Sequence, residues 1–214
     1  MGTVGRFHSR AVFGRRVRVL ADHLAGLLPA GAAVLDVGCG DGSIARRMMD
    51  LRPDVRVTGI DVLVRPETHV PVEHFDGAEI PHEDGAFDAV TMVDVLHHTA
   101  DPTVLLQEAG RVAGTAVVVK DHLAEGLLAR PTLRVMDWVG NAHHGVVLEY
   151  NYWTSDQWHQ AFRSAGLGAD VWRTDLGLYP PPASWAFDRR LHVVFRLVPG
   201  AALTPPGSGA AASD

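Results

Sequence analysis

The run Val34-Leu35-Asp36-Val37-Gly38-Cys39-Gly40-Asp41-Gly42 places a carboxylate two residues ahead of a glycine-rich turn. The apolar residues before the turn read as a buried strand, and the spacing after it reads as a helix. Such a turn lets a ligand approach the backbone and meet the free N–H groups of the helix start. Dinucleotide sites use the same device with G-x-G-x-x-G spacing. Here the third glycine, Gly42, comes one position early, and Asp36 stands where those sites carry an apolar residue. A carboxylate at the loop's mouth repels a pyrophosphate and suits a cationic ligand with an amino group. A second set of groups suits proton chemistry. Asp121-His122 directly follows an apolar strand, and a neutral imidazole at a strand's carboxyl end is placed to accept a proton. His122 is the first choice of base. His143, beside His144 and Asn141 in a long insertion, is a second choice.

The elements that must carry these groups alternate. Strands are expected at 33–37, 55–60, near 70–74, at 87–93, 115–120, 171–174 and 191–197, with helices at 43–51, 101–110 and 155–165. Asp101-Pro102 starts one helix, Ser155 caps another, and Gly166 stops it. This rhythm implies an α/β fold, Rossmann-like, with a seven-stranded, mostly parallel sheet and helices on both faces. Ahead of it, Phe13, Val17, Leu20, Leu24 and Leu28 form an apolar stripe on a helical lid at 6–28, whose opposite face carries Arg10, Arg15, Arg16 and Arg18. That basic face is read as solvated surface, with attraction of an anionic acceptor as the alternative.

After the fifth strand, residues 122–153 break the rhythm and are expected to cap the substrate, because connections this long are usually functional or disordered. All five Trp and all three Tyr lie between Trp138 and Trp185. Trp138, Asn141, His144, Tyr150, Tyr152 and Trp153 are the candidate acceptor-binding residues, with the aromatic ones as core beneath the insertion being the equal alternative. Residues 1–198 read as a single domain and 199–214 as a flexible tail.

The glycine turn and several further segments resemble the class I S-adenosylmethionine-dependent methyltransferases, in a small single-domain branch with ubiquinone-pathway and natural-product enzymes. Gly59-Ile60-Asp61 resembles the second strand's acidic end, which in that family takes the ribose hydroxyls. Phe75-Asp76-Gly77 with Ile80-Pro81 resembles the segment whose acid meets the adenine amino group. Residues 87–98 resemble the fourth strand and its exit, beside the sulfonium, and His97-His98 sits where the family often has two histidines. The resemblance implies S-adenosyl-L-methionine as cofactor and S-adenosyl-L-homocysteine as product. It implies a cofactor site of Asp36, Gly38, Cys39, Gly40, Asp61, Val62, Asp76, Gly77, Val93, Asp94 and His98, and His97 as a further catalytic candidate. Methyl transfer by in-line displacement is the expected reaction, with oxygen favoured over nitrogen or carbon. The alternatives are a fold relative that catalyses cyclisation or elimination without transfer, or a non-catalytic binding subunit.

Composition narrows the rest. The 214 residues are 47% apolar and 21% charged, enough for a sizeable core. The net charge of −6 argues against a nucleic-acid substrate. A single cysteine excludes an internal disulfide and a cysteine-rich zinc site. Asp94 and Asp121 both follow strands, but the adjacent Asp-Asn pair of metal-dependent relatives is absent, and no metal is expected. Lys120 is the only lysine in the chain and is read as compositional bias. The expected partner is a small-molecule acceptor, with no nucleic acid and no membrane span, in a cytoplasmic monomer or homodimer.

Overall fold

The computed structural model describes residues 3–141 and 150–200, with side chains over 14–138 and 150–200. Seven strands form one sheet: β1 (Ala33–Val37), β2 (Arg56–Asp61), β3 (Val72–His74), β4 (Phe87–Val93), β5 (Ala113–His122), β6 (Leu167–Arg173) and β7 (His192–Pro199). Their order is β3-β2-β1-β4-β5-β7-β6. The first five run parallel, and β7 is antiparallel to both β5 and β6. The order reverses direction between β1 and β4, and at such a switch point the diverging connections leave a crevice at the strands' carboxyl ends.

Both faces are covered, as a parallel sheet requires. Along β5, Val117 and Val119 join the core under helices α3 (Pro102–Val112) and α5 (Ser155–Ser164), with Leu105, Leu106, Trp158 and Phe162. Ala116 and Val118 point the other way, to α1 (Thr3–Ala25) and α2 (Ser43–Leu51), and meet Leu20, Leu24 and Met48. This alternation is the period-two pattern of a strand buried on both sides. A third, smaller cluster joins Ala129 and Leu133 of α4 (Ala129–Asn141) to Tyr152 and Leu191.

Several boundaries shift from their sequence expectations. The lid helix is Thr3–Ala25 rather than 6–28, and Leu28 is buried beyond its end. β5 runs on to His122, so Asp121 and His122 belong to the strand and the insertion begins after them. The strand meant to start at 171 starts at Leu167, because a bulge between Ala169 and Val171 interrupts its alternation. Thr154, not Ser155, caps α5: its hydroxyl accepts from Gln157 N–H while the Gln157 side chain accepts from Thr154 N–H. β7 reaches Pro199, the first residue assigned to the tail, and residues 201–214 lie outside the described residues. A 3₁₀ turn at Leu96–His98 and a five-residue helix α6 (Ala183–Phe187) were not expected.

Candidate active site

The crevice is built by the strand ends. Gly38 N–H donates to Ile60 carbonyl at 2.8 Å, which pins the glycine turn against β2. Gly38 has φ +68, and a Cβ there would lie 2.5 Å from Val95 Cγ2, so this position admits only glycine. Arg16, Val17, Asp36, Gly38, Cys39, Gly40, Asp41, Ser43, Ile44 and Val93 line a cavity of about 180 Å³. Asp36 is buried, and its carboxyl accepts from the Thr91 hydroxyl at 2.7 Å. Burial pushes its pKa up to about 7, against the Thr91 hydrogen bond and with help from Asp61. Asp61 is held at β2's end by Gly40 N–H and Leu63 N–H, each at 2.8 Å. Cys39 is no nucleophile, because burial and then Asp36 push its thiol well above the usual range. Asp76 is exposed and accepts from Ala78 and Glu79 N–H at 2.8 and 2.9 Å, so its carboxylate organises its own turn.

Beyond Val93 lies a buried polar cluster. Asp94 has φ +57, an uncommon conformation for a residue other than glycine. Its carboxylate pairs with the Arg16 guanidinium and the Lys120 ammonium. Lys120 is fully buried on β5, and burial lowers its pKa while Asp94 opposes. Asp94 itself stays well below the ordinary carboxylate range: burial raises its pKa, but Arg16 and Lys120 outweigh it. Arg16 also donates to the Tyr179 hydroxyl at 3.3 Å, and Arg15 donates to Gly177 carbonyl at 3.0 Å. Two arginines of the lid therefore turn inward, contrary to the surface reading; Arg18 is exposed, and the Arg10 side chain lies outside the described residues. Lys120 is likewise no compositional accident, since no solvent reaches it and a carboxylate meets it.

The imidazoles divide into two kinds. His97 Nδ1 lies 2.7 Å from Asp121 Oδ1, and its Nε2 lies 3.4 Å from Asp137. Burial lowers its pKa, but Asp121, and then Asp137 and Asp94, raise it more, so it lies above the ordinary imidazole value. His122 Nδ1 lies 3.2 Å from His97 Nδ1. Burial, then Lys120 and His97, push the His122 pKa down to about 4. It is a weak base near neutral pH, which corrects its choice as the principal base. His98 is also pushed down, by burial and then by His97.

The expected acceptor wall is only partly assembled. Trp138 is 64% exposed on the outer side of α4, because Leu133 turns the helix's apolar side inward. Tyr152 is buried and donates its hydroxyl to Asp137. Trp153 donates its indole N–H to Asn151 at 3.0 Å and packs edge-on against Trp158, 4.9 Å between ring centroids. Tyr152 and Trp153 thus belong to the core beneath the insertion rather than to a wall. Tyr150 is half-buried under the Arg134 guanidinium. His143, His144 and the Asn141 side chain lie outside the described residues.

Residues 9–170 match the family model of a methyltransferase domain. The chain belongs to that methyltransferase family. The 27-O-demethylrifamycin SV methyltransferase of Amycolatopsis mediterranei is 37% identical over 185 residues, which cover 78% of this chain. A ubiquinone biosynthesis O-methyltransferase of Xanthomonas oryzae is 34% identical over 96 residues, or 39% of this chain. The chain spans 65% of the first relative's length and 39% of the second's. An S-adenosylmethionine-dependent methyltransferase from Mesorhizobium loti superposes with a TM-score of 0.64 at 18% identity, over 83% of this chain and 96% of that one. The cyclase SpnF gives 0.62 at 20% identity, over 86% and 81%. These two structures share the fold. The sheet order and the glycine turn confirm the class I methyltransferase architecture expected from the sequence. No described helix is long and apolar enough to cross a membrane.

Within this member of the methyltransferase family, the sequence reading missed Arg16, Tyr179, Asp137 and His192 as members of the polar cluster. Only Lys120 carried a signal, as a lone lysine in an arginine-rich chain.

Proposed function

We propose that this chain transfers the methyl group of S-adenosylmethionine to an oxygen of a small-molecule acceptor. The buried Asp36 carboxyl at the mouth of the glycine turn carries this reading. A carboxyl whose pKa burial has raised to about 7 gains most from a cationic partner, and the cofactor's amino group is one. Asp61, fixed by two backbone N–H groups, fits a pair of ribose hydroxyls. Gly38 and Gly40 leave room for the ligand against the backbone, and Val93 closes the cavity toward the cluster. The cofactor supplies an electrophilic methyl on a sulfonium. The chain's residues bind it, align the acceptor with Val93 and Asp94, and exclude water. Arg16 and Val17 let the lid helix cover the cavity. The O-methyltransferase names of the relatives support oxygen as the acceptor atom.

Calorimetric titration with S-adenosylhomocysteine tests this. The wild type is expected to bind in the micromolar range, and Asp61→Ala to lose at least tenfold, the loss of charge-assisted hydrogen bonds worth about 1.5–3 kcal/mol. A folded wild type that does not bind overturns the proposal. Binding without label transfer from a methyl donor to any acceptor in a panel of phenols and alcohols would favour the non-transferring alternative.

A further inference from the structure

Helix α4 is apolar on two sides. Ala129, Leu133 and Met136 face inward and pack with Tyr152 and Leu191. Leu128, Pro131, Val135 and Trp138 recur at steps of three, four and three, which sets them in one stripe on the other side. Leu128 belongs to that stripe because its carbonyl accepts from Thr132 N–H at 3.1 Å, a helical bond. All four residues are exposed. Leu128 and Val135 are each 57% exposed, and Leu127, just ahead of the stripe, is 98% exposed. A surface helix ordinarily turns charged or polar residues away from the core. A contiguous apolar face left in water marks a place where another apolar body docks.

The charge beside the stripe has one sign. Arg130 and Arg134 are exposed on α4. Arg189 and Arg190, also exposed, follow α6, and Arg189 donates to the Thr132 hydroxyl at 3.0 Å, which ties that segment to α4. The carboxylates of these segments are engaged elsewhere. Asp137 is buried and meets Tyr152 and His97. Asp188 accepts from Tyr179 N–H at 3.1 Å, and Glu125 accepts from Ser155 N–H at 2.8 Å. A basic surface therefore stands in a chain whose net charge is −6. Tryptophan adds to it: Trp138 lies in the stripe, and Trp185 on α6 is 77% exposed.

We propose that the outer face of α4, flanked by Arg130 and Arg134, docks this chain on an anionic lipid surface. The chemistry of the face chooses this occupant. A second copy docking by the same face would set arginine against arginine, because such an interface is self-facing. A bilayer with anionic headgroups suits every group present. Leucine and valine enter the acyl boundary, tryptophan sits at headgroup depth, and arginine extends its stem over the apolar surface to reach phosphate. With 13 residues, α4 is too short to span and lies in the plane of the interface. The inference is independent of the methyl-transfer reading, since the stripe is separate from the residues lining the cavity beside the glycine turn.

The test is co-sedimentation of the full chain with sucrose-loaded vesicles, made of phosphatidylcholine alone or with about one-third phosphatidylglycerol, at about 0.1 M salt. The wild type is expected to bind the anionic vesicles at least tenfold more tightly than the neutral ones, and to lose most of that preference at about 1 M salt, where surface charge is screened. Its tryptophan emission is expected to shift to the blue on binding, and to shift less in Trp138→Phe. Arg130→Gln combined with Arg134→Gln is expected to weaken anionic binding about tenfold or more while binding to neutral vesicles is unchanged. Leu128→Gln combined with Val135→Gln is expected to weaken binding to both. All four positions are exposed, and urea midpoints within error of the wild type show that the variants fold; Trp138→Phe serves if a double variant does not. No sedimentation with either vesicle, equal binding to the two, or wild-type binding in both double variants overturns the inference. So does a dimer that Leu128→Gln with Val135→Gln dissolves in the absence of vesicle binding, which assigns the face to a second copy.

Discussion

Asp36 is protonated or ionised according to what stands in front of it. With its pKa raised to about 7 by burial, the carboxyl is largely neutral below that pH, and only its ionised form pairs with an amino group. Binding below pH 7 must therefore expel a proton. S-adenosylhomocysteine affinity is expected to rise up to tenfold per pH unit from pH 5.5 and to level off above pH 7 to 8. Calorimetry in buffers of different ionisation enthalpy counts the proton directly. In Asp36→Asn the slope disappears and the affinity is lower throughout. A flat wild-type profile would mean that Asp36 does not face the amino group. Asp61 offers a contrast at the same scale, because its two backbone donors hold it ready whether or not a ligand is present.

At the scale of elements, the glycine turn is held from behind as well as in front. A Cβ added to Gly59, in the middle of the cavity end of β2, would collide with Cys39 Sγ and come 3.0 Å from Cys39 Cβ. Gly59 is thus glycine for close packing of turn on strand, and Gly59→Ala should cost about 1–3 kcal/mol by overpacking. Cys39→Ala in the same chain removes the sulfur and is expected to recover part of that loss, as urea melts of the two single variants and the double variant would measure. The packing partner is why this detail escapes the sequence, although the elements themselves do not. β1, α2 and β4 fall on their expected bounds, since β1 runs into Gly38, β4 into Asp94, and α2 is a periodic run between Gly42 and Arg52-Pro53. β5 runs past its expected end into Asp121 and His122, because pairing with β7 carries these polar residues into the buried sheet, and β7 runs on to Pro199 where it pairs with β6. α6 has too few residues to show a period. The proposed cofactor residues were legible because each lies in a short contiguous segment of recognisable pattern, at the glycine turn or just past a strand. Arg16 and Asp94 stand 78 positions apart, and no spacing rule brings them together.

The whole molecule carries an electrostatic cost for gathering so many imidazoles at one end of its sheet. A group whose folded pKa is depressed adds stability above its unfolded value and loses it as pH falls. His122, at about 4 against 6.5 unfolded, is one such group, and His98 and His192 are depressed in the same direction. Between pH 6.5 and about 4 the unfolded chain binds a proton at His122 that the folded one resists, and His98 and His192 act in the same direction. Two groups act oppositely. His97 is raised, so its contribution is fully present below 6.5 and is lost only as pH rises through its folded value. Asp36 is raised to about 7, so across this window the folded state binds its proton and gains. Asp94 and Asp121 are depressed carboxylates and hold their contributions until pH falls below about 3.8. Three depressed imidazoles against one raised carboxyl leave a net uptake of up to two protons on unfolding. Stability should then fall with acidification by as much as about 2.7 kcal/mol per pH unit over the steepest part of the window. Urea midpoints taken at pH 7.0, 6.0 and 5.0 measure the slope. Replacing His122 by Asn removes one of the three groups, so the slope is expected to drop by up to about 1.4 kcal/mol per pH unit while stability at pH 5 rises relative to pH 7. A wild-type midpoint that stays constant or rises on acidification would mean that these imidazoles titrate in the folded state, and that solvent or counter-ions reach the cluster.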